Sequence, residues 1–484
     1  MFNIFPTKGI DRVSKLISKP AITDKEFIES EIVRWKNSKQ RKAMIQGIKY
    51  YTGEHDILHR KRTVIGQNGK LQEVNNLPNN KVIDNQYAKV VDQKISYLLE
   101  KPFTLDSEDK IYQKILGDVF NSRFRNLLKN IGCDALNCGI GWVYPYYNEE
   151  GKFNFKRFKP FEILPFWKDA EHTILDMVVR VYEVEVYNNY NCEIVEKVEI
   201  YHPDKIEYYE LKNNTLCPEK NKTNSNYIIL EDESGFLHNY NWSCVPFIPF
   251  KYNNKEIPLI KKVKSLQDGI NTMLSDFENN MQEDARNTIL IIKNYDGTNL
   301  AEFRHNLATY GAVKVRTVDG SDGGVDALQV QVNAENYKTI IEMFKKALIE
   351  NAMGYDAKND RLFGNPNQMN IQSMYSDIDL DANSMESEFK ASFEQLIKFI
   401  NIYLANSGKG DFDNSKVDII FNRDIMMNEA EVIESCRNSV GILSEETIIA
   451  QHPWVINADQ ELKRKEKEEQ PVLDEYIPSF KPKK

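Results

Sequence analysis

His55 and His59 stand four residues apart, a spacing that brings two imidazoles to one face if the chain there is helical. A metal pair is the chemistry such an arrangement would offer; packing or surface histidines are the plainer reading. Cys133 and Cys138 are five apart, with no second pair at zinc spacing, and read as small buried apolar side chains. Asp319, Asp322 and Asp326 lie among glycines and would suit a cation. They lack the spacing and closing Glu of a calcium loop and read as a turn between strands. Asp377, Asp379 and Asp381 fall on a helical pattern at steps of two, which points successive carboxylates to different sides, so a solvated helix face is expected. The chain has no Gly-x-x-x-x-Gly-Lys-Ser/Thr, no Gly-x-Ser-x-Gly and no His-Glu-x-x-His. No acid and base stand out as a pair. These residues point away from an enzyme and call for no metal and no cofactor.

Around them lie 484 residues with 63 Lys+Arg against 72 Asp+Glu, a net charge of −9 and a mean hydropathy of −0.54. An apolar fraction of 41% suffices for real cores and excludes wholesale disorder. Mild acidity argues against a protein built to grip a duplex, which would carry a basic face. It leaves room for a few basic positions aimed at nucleic acid. No run approaches the roughly 18 apolar residues that span a bilayer, and the first residues do not read as a signal peptide. Six scattered cysteines suggest reduced thiols in a cytoplasm rather than a disulfide framework.

The elements that must hold these groups are legible from periodicity. A capped helix is expected from Asp24, with Phe27, Ile28, Ile32 and Trp35 on one face, running to about Gly53. Residues 67–80 read as a loop. A second helix carries Tyr87, Val90, Val91, Ile95, Leu98 and Leu99 and stops at Lys101-Pro102. A third carries Ile111, Ile115, Val119, Phe120, Phe124 and Leu127. Residues 139–250 alternate in the manner of antiparallel strands, with aromatic residues as core fillers. After Pro258 a helix of roughly 26 residues would extend about 40 Å. An insert of strand, turn, short helix and strands (at 312–316 and 328–332) follows, and then a second helix over 333–353. Both helices have a narrow apolar stripe suited to packing sideways on neighbours. Residues 354–370 form a polar loop long enough to suggest a function. From Ile371 to Tyr403 runs the most sustained helical pattern in the chain, a strut rather than an ordinary globular helix. A strand at 417–421, helices over 429–440 and from the cap Ser444, and a solvated charged end complete the reading.

Several stretches carry a resemblance. Tyr51-Thr52-Gly53-Glu54-His55-Asp56-Ile57, Arg60, Asn79-Asn80-Lys81-Val82-Ile83-Asp84-Asn85, Val91-Asp92-Gln93-Lys94 and Leu98-Leu99-Glu100-Lys101-Pro102-Phe103 resemble the opening signature of tailed-phage portal proteins of the SPP1-like class. Pro249-Phe250-Lys251-Tyr252-Asn253-Asn254 is similar to the segment leading into that family's stem. Lys293-Asn294-Tyr295-Asp296-Gly297 and Asp322-Gly323-Gly324-Val325-Asp326 resemble its clip. Gly408-Lys409-Gly410-Asp411-Phe412 resembles the end of its long helix. The order of these motifs, from about Tyr50 to Asp459, is what makes the likeness specific. The chain departs from the family in a basic C-terminus where a long acidic tail is expected.

The resemblance implies an α+β portal architecture. It has a mixed α/β wing (1–256), stem helices (257–283 and 333–353), a small clip (284–332) and a tunnel loop (354–370). A long wing helix and strand (371–427) and a helical crown with a charged tail (428–484) follow. It implies a homo-oligomeric ring, usually dodecameric, at one vertex of a phage head. That ring would be a virion component assembled in the host cytoplasm, with no membrane. Double-stranded DNA would pass through it. The terminase large subunit, head-completion or adaptor proteins, and the major capsid and scaffolding proteins would be its partners. The DNA-channel candidates are then Lys345, Lys346, Lys358 and Arg361. Lys293, Arg304, Lys314 and Arg316 in the clip would serve partner docking or intersubunit pairs. The alternative is a structural ring or baseplate component of a phage-like particle that never conducts DNA.

Overall fold

The computed structural model describes residues 24–469 apart from 66–68, 76, 149–150, 189–190, 220–221, 223–224, 232–236, 285–288, 297–298, 311–313, 319, 321, 329–333, 357–367, 424–428 and 456–457. The first expected helix is broken in two, α1 (Asp24–Lys36) and α2 (Lys39–Tyr51). Ser38 has extended backbone angles between them, and its Oγ accepts the Arg41 amide proton at 3.1 Å. Asp56–His59 is a single 3-10 turn, and β1 (Thr63–Ile65) forms a small hairpin with β2 (Leu71–Glu73), the latter inside the expected loop. Helix α3 (Gln86–Leu99) buries Tyr87, Val90, Val91, Leu98 and Leu99 as its spacing predicts. After β3 (Thr104–Asp106), the third expected helix is also two, α4 (Lys110–Val119) and α5 (Ser122–Cys138), because the Asn121 side chain caps the second. Both breaks have one cause: a Ser or Asn inside an apolar periodicity offers the backbone a local hydrogen bond and starts a new helix.

Gly139 ends α5 at φ +86, and a Cβ there would meet the Glu256 carbonyl oxygen at 2.1 Å, so only glycine fits. The chain then becomes sheet. β4 (Ile140–Tyr147), β5 (Phe153–Phe158), β6 (Ile163–Trp167), β7 (Leu175–Asn188), β8 (Asn191–Tyr201), β9 (Ile206–Lys212), β10 (Thr215–Pro218), β11 (Ile228–Glu231), β12 (Leu237–Tyr240) and β13 (Ile248–Lys251) follow in order. They pair antiparallel as β13-β4-β5, as the run β10-β9-β8-β7-β6 and as the hairpin β11-β12. The aromatic residues fill the core between them: Trp142 stacks on Trp167 at 5.9 Å and Phe158 on Phe247 at 5.3 Å.

Helix α6 (Ile260–Asp284) leads to an insert of β14 (Ile289–Lys293), α7 (Leu300–Tyr310) and β15 (Gly324–Leu328). β14 and β15 pair antiparallel. Of the expected strand 312–316, the described residues form only a bridge between Val315 and Tyr295. Of the strand expected at 328–332 only Leu328 is described, as the last residue of β15, and the rest lies outside the described residues; Asp326 sits in β15 opposite Ile291 and not in a turn. Asp319 lies outside the described residues. Helix α8 (Ala334–Asn351) returns beside α6. Gly269 makes the close approach possible, since a Cβ there would meet the Phe344 ring at 2.8 Å. Helix α9 (Gln368–Asn406) runs 39 residues, about 58 Å at ~1.5 Å per residue. Its Phe389 and Phe393 rings meet Phe250 at 5.0 and 5.7 Å, tying it to the sheet. β16 (Asp418–Ile420) pairs with β3. Helices α10 (Glu429–Asn438), α11 (Glu445–Gln451) and α12 (Ala458–Glu469) close the described chain, the charged end being helical up to Glu469. The fold is α+β, and no helix among the described residues is long and apolar enough to cross a membrane.

Candidate functional site at the root of the paired helices

Four polar side chains stand four residues apart on α6: Gln267, Asn271, Ser275 and Asn279, each 0% exposed. Buried polar groups need partners, and each of the four finds one in residues 80–87, non-helical as far as Asn85 and then the first turn of α3; Asn279 Nδ2 and Asn80 Nδ2 are left without one among the described residues. The Asn80 amide donates to Asn279 Oδ1 at 2.8 Å, Val82 to Ser275 Oγ at 2.9 Å, Asp84 to Asn271 Oδ1 at 3.1 Å and Tyr87 to Gln267 Oε1 at 2.9 Å. Gln267 Nε2 donates in return to the Asp84 carbonyl at 2.7 Å. The match is one of pitch. Four helical residues rise about 6 Å and two extended residues about 6.6 Å, so alternate amides of the strand meet every fourth residue of the helix. The last step is three residues because Asn85 caps α3 there.

His55 lies against this ladder. Its ring stacks on Tyr50 at 4.4 Å, its Nδ1 accepts from Asn271 Nδ2 at 2.7 Å, and its Nε2 donates to the Tyr50 carbonyl at 2.9 Å. Both nitrogens are engaged, and burial holds the imidazole below its usual pKa. His59 is exposed on the 3-10 turn. The two imidazoles are therefore not brought together on one helical face: His55 is a packing histidine and His59 a surface one. Outside the ladder, Lys264 bridges Asp56 and Asp268 at 2.6 Å each, and Arg60 pairs with Asp276 at 2.6 Å.

A second network holds the start of the polar loop that follows α8. Lys94 on α3 is buried. It donates to Asp381 Oδ2 at 2.6 Å and to the Met353 carbonyl at 3.0 Å, and burial depresses its pKa. Tyr252 Oη donates to the same carboxylate at 2.9 Å. Gln93 brackets Tyr355, donating to its carbonyl at 2.8 Å and accepting its amide proton at 3.3 Å. Asp379 pairs with Arg423 and accepts from Tyr97 Oη at 2.7 Å. The acidic trio does point to different sides, as its spacing demands, yet it is no solvated face: of the three, only Asp377 is exposed. Packing of α9 against α3 turned Asp381 inward, whereas Asp379 stays part-exposed in its pair with Arg423.

The basic candidates fare unequally. Lys345 forms an ion pair with Asp84 at 2.5 Å, which ties α8 to the ladder strand. Lys346 is exposed, 4.0 Å from Glu350 one turn on. Lys358 and Arg361 lie outside the described residues. In the insert, Lys314 and Arg316 converge on Asp296, the former at 3.9 Å. Lys293 is exposed at the end of β14, and Arg304 belongs to α7. The ladder was missed at the level of sequence, although a signal was there: Gln-x-x-x-Asn-x-x-x-Ser-x-x-x-Asn, a polar stripe at helical pitch.

A family model described as phage portal protein, SPP1 Gp6-like, matches residues 32–472. The chain is 28% identical over 428 residues to the portal protein of Bacillus phage SPP1, covering 88% of this chain and 83% of that one. It is 27% identical over 454 residues to the portal protein of Clostridium phage phiCD119 (strain Clostridium difficile/United States/Govind/2006), covering 90% and 96%.

Proposed function

The chain belongs to the SPP1 Gp6-like phage portal proteins, and from that premise we propose that it closes into a ring at one capsid vertex. The ring conducts double-stranded DNA during packaging and ejection, and it seats the terminase large subunit and then the head-completion proteins. It carries no catalysis of its own. In this reading residues 1–256 and 371–427 form the wing, 257–283 and 333–353 the stem, 284–332 the clip, 354–370 the tunnel loop and 428–484 the crown and tail. Capsid and scaffolding proteins surround the wing.

The observation that carries the ring is the paired stem. α6 and α8 lie side by side, with Phe277 and Tyr337 rings 5.3 Å apart. They nevertheless leave Met281, Ile340 and Met343 exposed, Met343 at 64%. Apolar side chains in that position suit a head-to-tail contact between identical copies, which closes when the rotation allows. Sedimentation velocity tests it. The full chain should run as a large closed assembly, and the double variant Ile340→Glu/Met343→Glu should shift it toward single subunits. A full chain that remains a 56.3 kDa species at every concentration would overturn the reading.

A further inference from the structure

The hairpin of β1 and β2 has almost no cover. Its register pairs Thr63 with Glu73, Val64 with Gln72 and Ile65 with Leu71. Of these side chains only Val64 is half-buried, and the aliphatic cross-strand pair is open to solvent, Ile65 at 76% and Leu71 at 72%. A lone two-stranded ribbon is marginal in water until something packs against it. Its root, by contrast, is firm. The Val74 amide donates to the Arg62 carbonyl at 3.0 Å, Lys61 pairs with Glu73 at 2.8 Å, and Asn79 Nδ2 donates to the Arg60 carbonyl at 3.1 Å. Arg60 and Asn80 are in turn fixed to Asp276 and Asn279 of α6. The ribbon is an arm mounted on the stem, with a bare apolar pair.

A second copy of the chain fits as its cover. The ladder side chains from Gln267 to Asn279 face residues 80–87, whereas Gly269, Phe277 and Asn280 face α8. On a helix of 3.6 residues per turn these two sets point about 170° apart. The arm springs from the ladder side, so its own α8 stands behind α6. The outer side of α8 offers the other bare apolar pair, Ile340 and Met343, three residues apart. Two different surfaces on opposite flanks of one helix pair are what a head-to-tail contact joins. Reach suffices: five extended residues from Arg60 to Ile65 span about 16 Å, and packed helices lie about 8–10 Å apart. The charges agree in sign. The arm carries Lys61, Arg62 and Lys70 against Glu73, and the exposed side of α8 carries Glu335, Glu342 and Glu350 against Lys338 and Lys346, Lys345 being turned to Asp84. Much of that charge is paired within one copy, Lys61 with Glu73, Lys338 with Glu342 and Lys346 with Glu350. The aliphatic side chains therefore supply the contact, and the ions permit it.

We propose that the β1–β2 arm of one subunit lies on α8 of the next, with Ile65 and Leu71 against Ile340 and Met343. The proposal rests on the ring reading and names the element that each subunit lends to its neighbour. A photoreactive benzophenone side chain in place of Leu71, in the full chain, should cross-link to residues 338–346 of a second subunit. Mixing isotopically light and heavy subunits separates adducts between chains from adducts within one. Adducts within one chain, or outside α8, overturn the proposal. The double variant Ile65→Asp/Leu71→Asp supplies the second measurement. Both side chains are exposed, so its circular dichroism spectrum should match that of the native chain, while the concentration for half-assembly in sedimentation should rise at least tenfold. Ile65→Val/Leu71→Met should assemble as the native chain does. Assembly of the Asp variant at the native concentration overturns the arm contact and leaves the ring standing. A native chain that never assembles overturns both.

Discussion

At the scale of single residues, His55 is the most informative group. Its neutral form is demanded on both sides, by the Tyr50 carbonyl that accepts from Nε2 and by the Asn271 amide that donates to Nδ1. Protonation would set two donors against each other. Turning Asn271 to relieve this would take its oxygen from the Asp84 amide. Of the neighbouring charges, Asp268 and Asp56 favour the protonated ring and are bridged by Lys264, but burial outweighs them. Burial keeps the folded pKa below the unfolded one, so the unfolded chain takes up the proton first. Stability is therefore complete above about pH 6.5, the ordinary histidine value, and falls as pH drops below it. Melting temperatures between pH 7.5 and 5.5 should fall for the native chain. His55→Gln should melt lower at pH 7.5 and show a shallower fall. An equal slope in both would remove His55 from the account.

At the scale of elements, the ladder does what apolar packing does elsewhere: it fixes a long helix to the body of the protein. An apolar stripe tolerates small slides, whereas an amide paired with one acceptor does not. Ser275→Ala leaves the part-buried Val82 amide without its acceptor, which should cost about 1–3 kcal/mol. Asn271→Leu removes the acceptor for Asp84 and the donor to His55, and should cost more. Chemical denaturation measures the cost. Amide exchange at Val82 and Asp84 localises it: faster exchange confined to residues 80–87 and the facing turns of α6 is the expected signature. The Lys345–Asp84 pair joins α8 to the same strand, so both long helices are referenced to one short extended segment.

For the whole molecule, charge decides how a channel would work. Each phosphate neutralised adds salt-dependent affinity, and a ring repeats every residue in every subunit, so few basic positions suffice. With Lys345 already committed to Asp84, a charge reversal there would disturb the fold as well as the channel. Lys346, Lys358 and Arg361 are the cleaner test. Reversing them to Glu, singly and together, should lower the DNA packaged per particle while the assembled rings keep their size. Full packaging in every combination would leave a ring that conducts no DNA through these residues.

The chain's own periodicity determined the succession of two helices around an insert, the long strut, the antiparallel middle and the helices at the end. Those elements bury apolar stripes, and a stripe is visible without knowing its partner. Together with the ordered motifs from Tyr51 to Phe412, that was enough to read the family. The two split helices and both buried networks were decided elsewhere. Ser38 and Asn121 look like ordinary polar residues until the backbone turns on them. A buried Gln267 or Asp381 is indistinguishable in sequence from a solvated one. Their partners lie far along the chain, 180 residues away for Tyr87 with Gln267 and 287 for Lys94 with Asp381. Only the packed tertiary structure brings such groups within hydrogen-bonding distance, and only there does desolvation make the pairing obligatory.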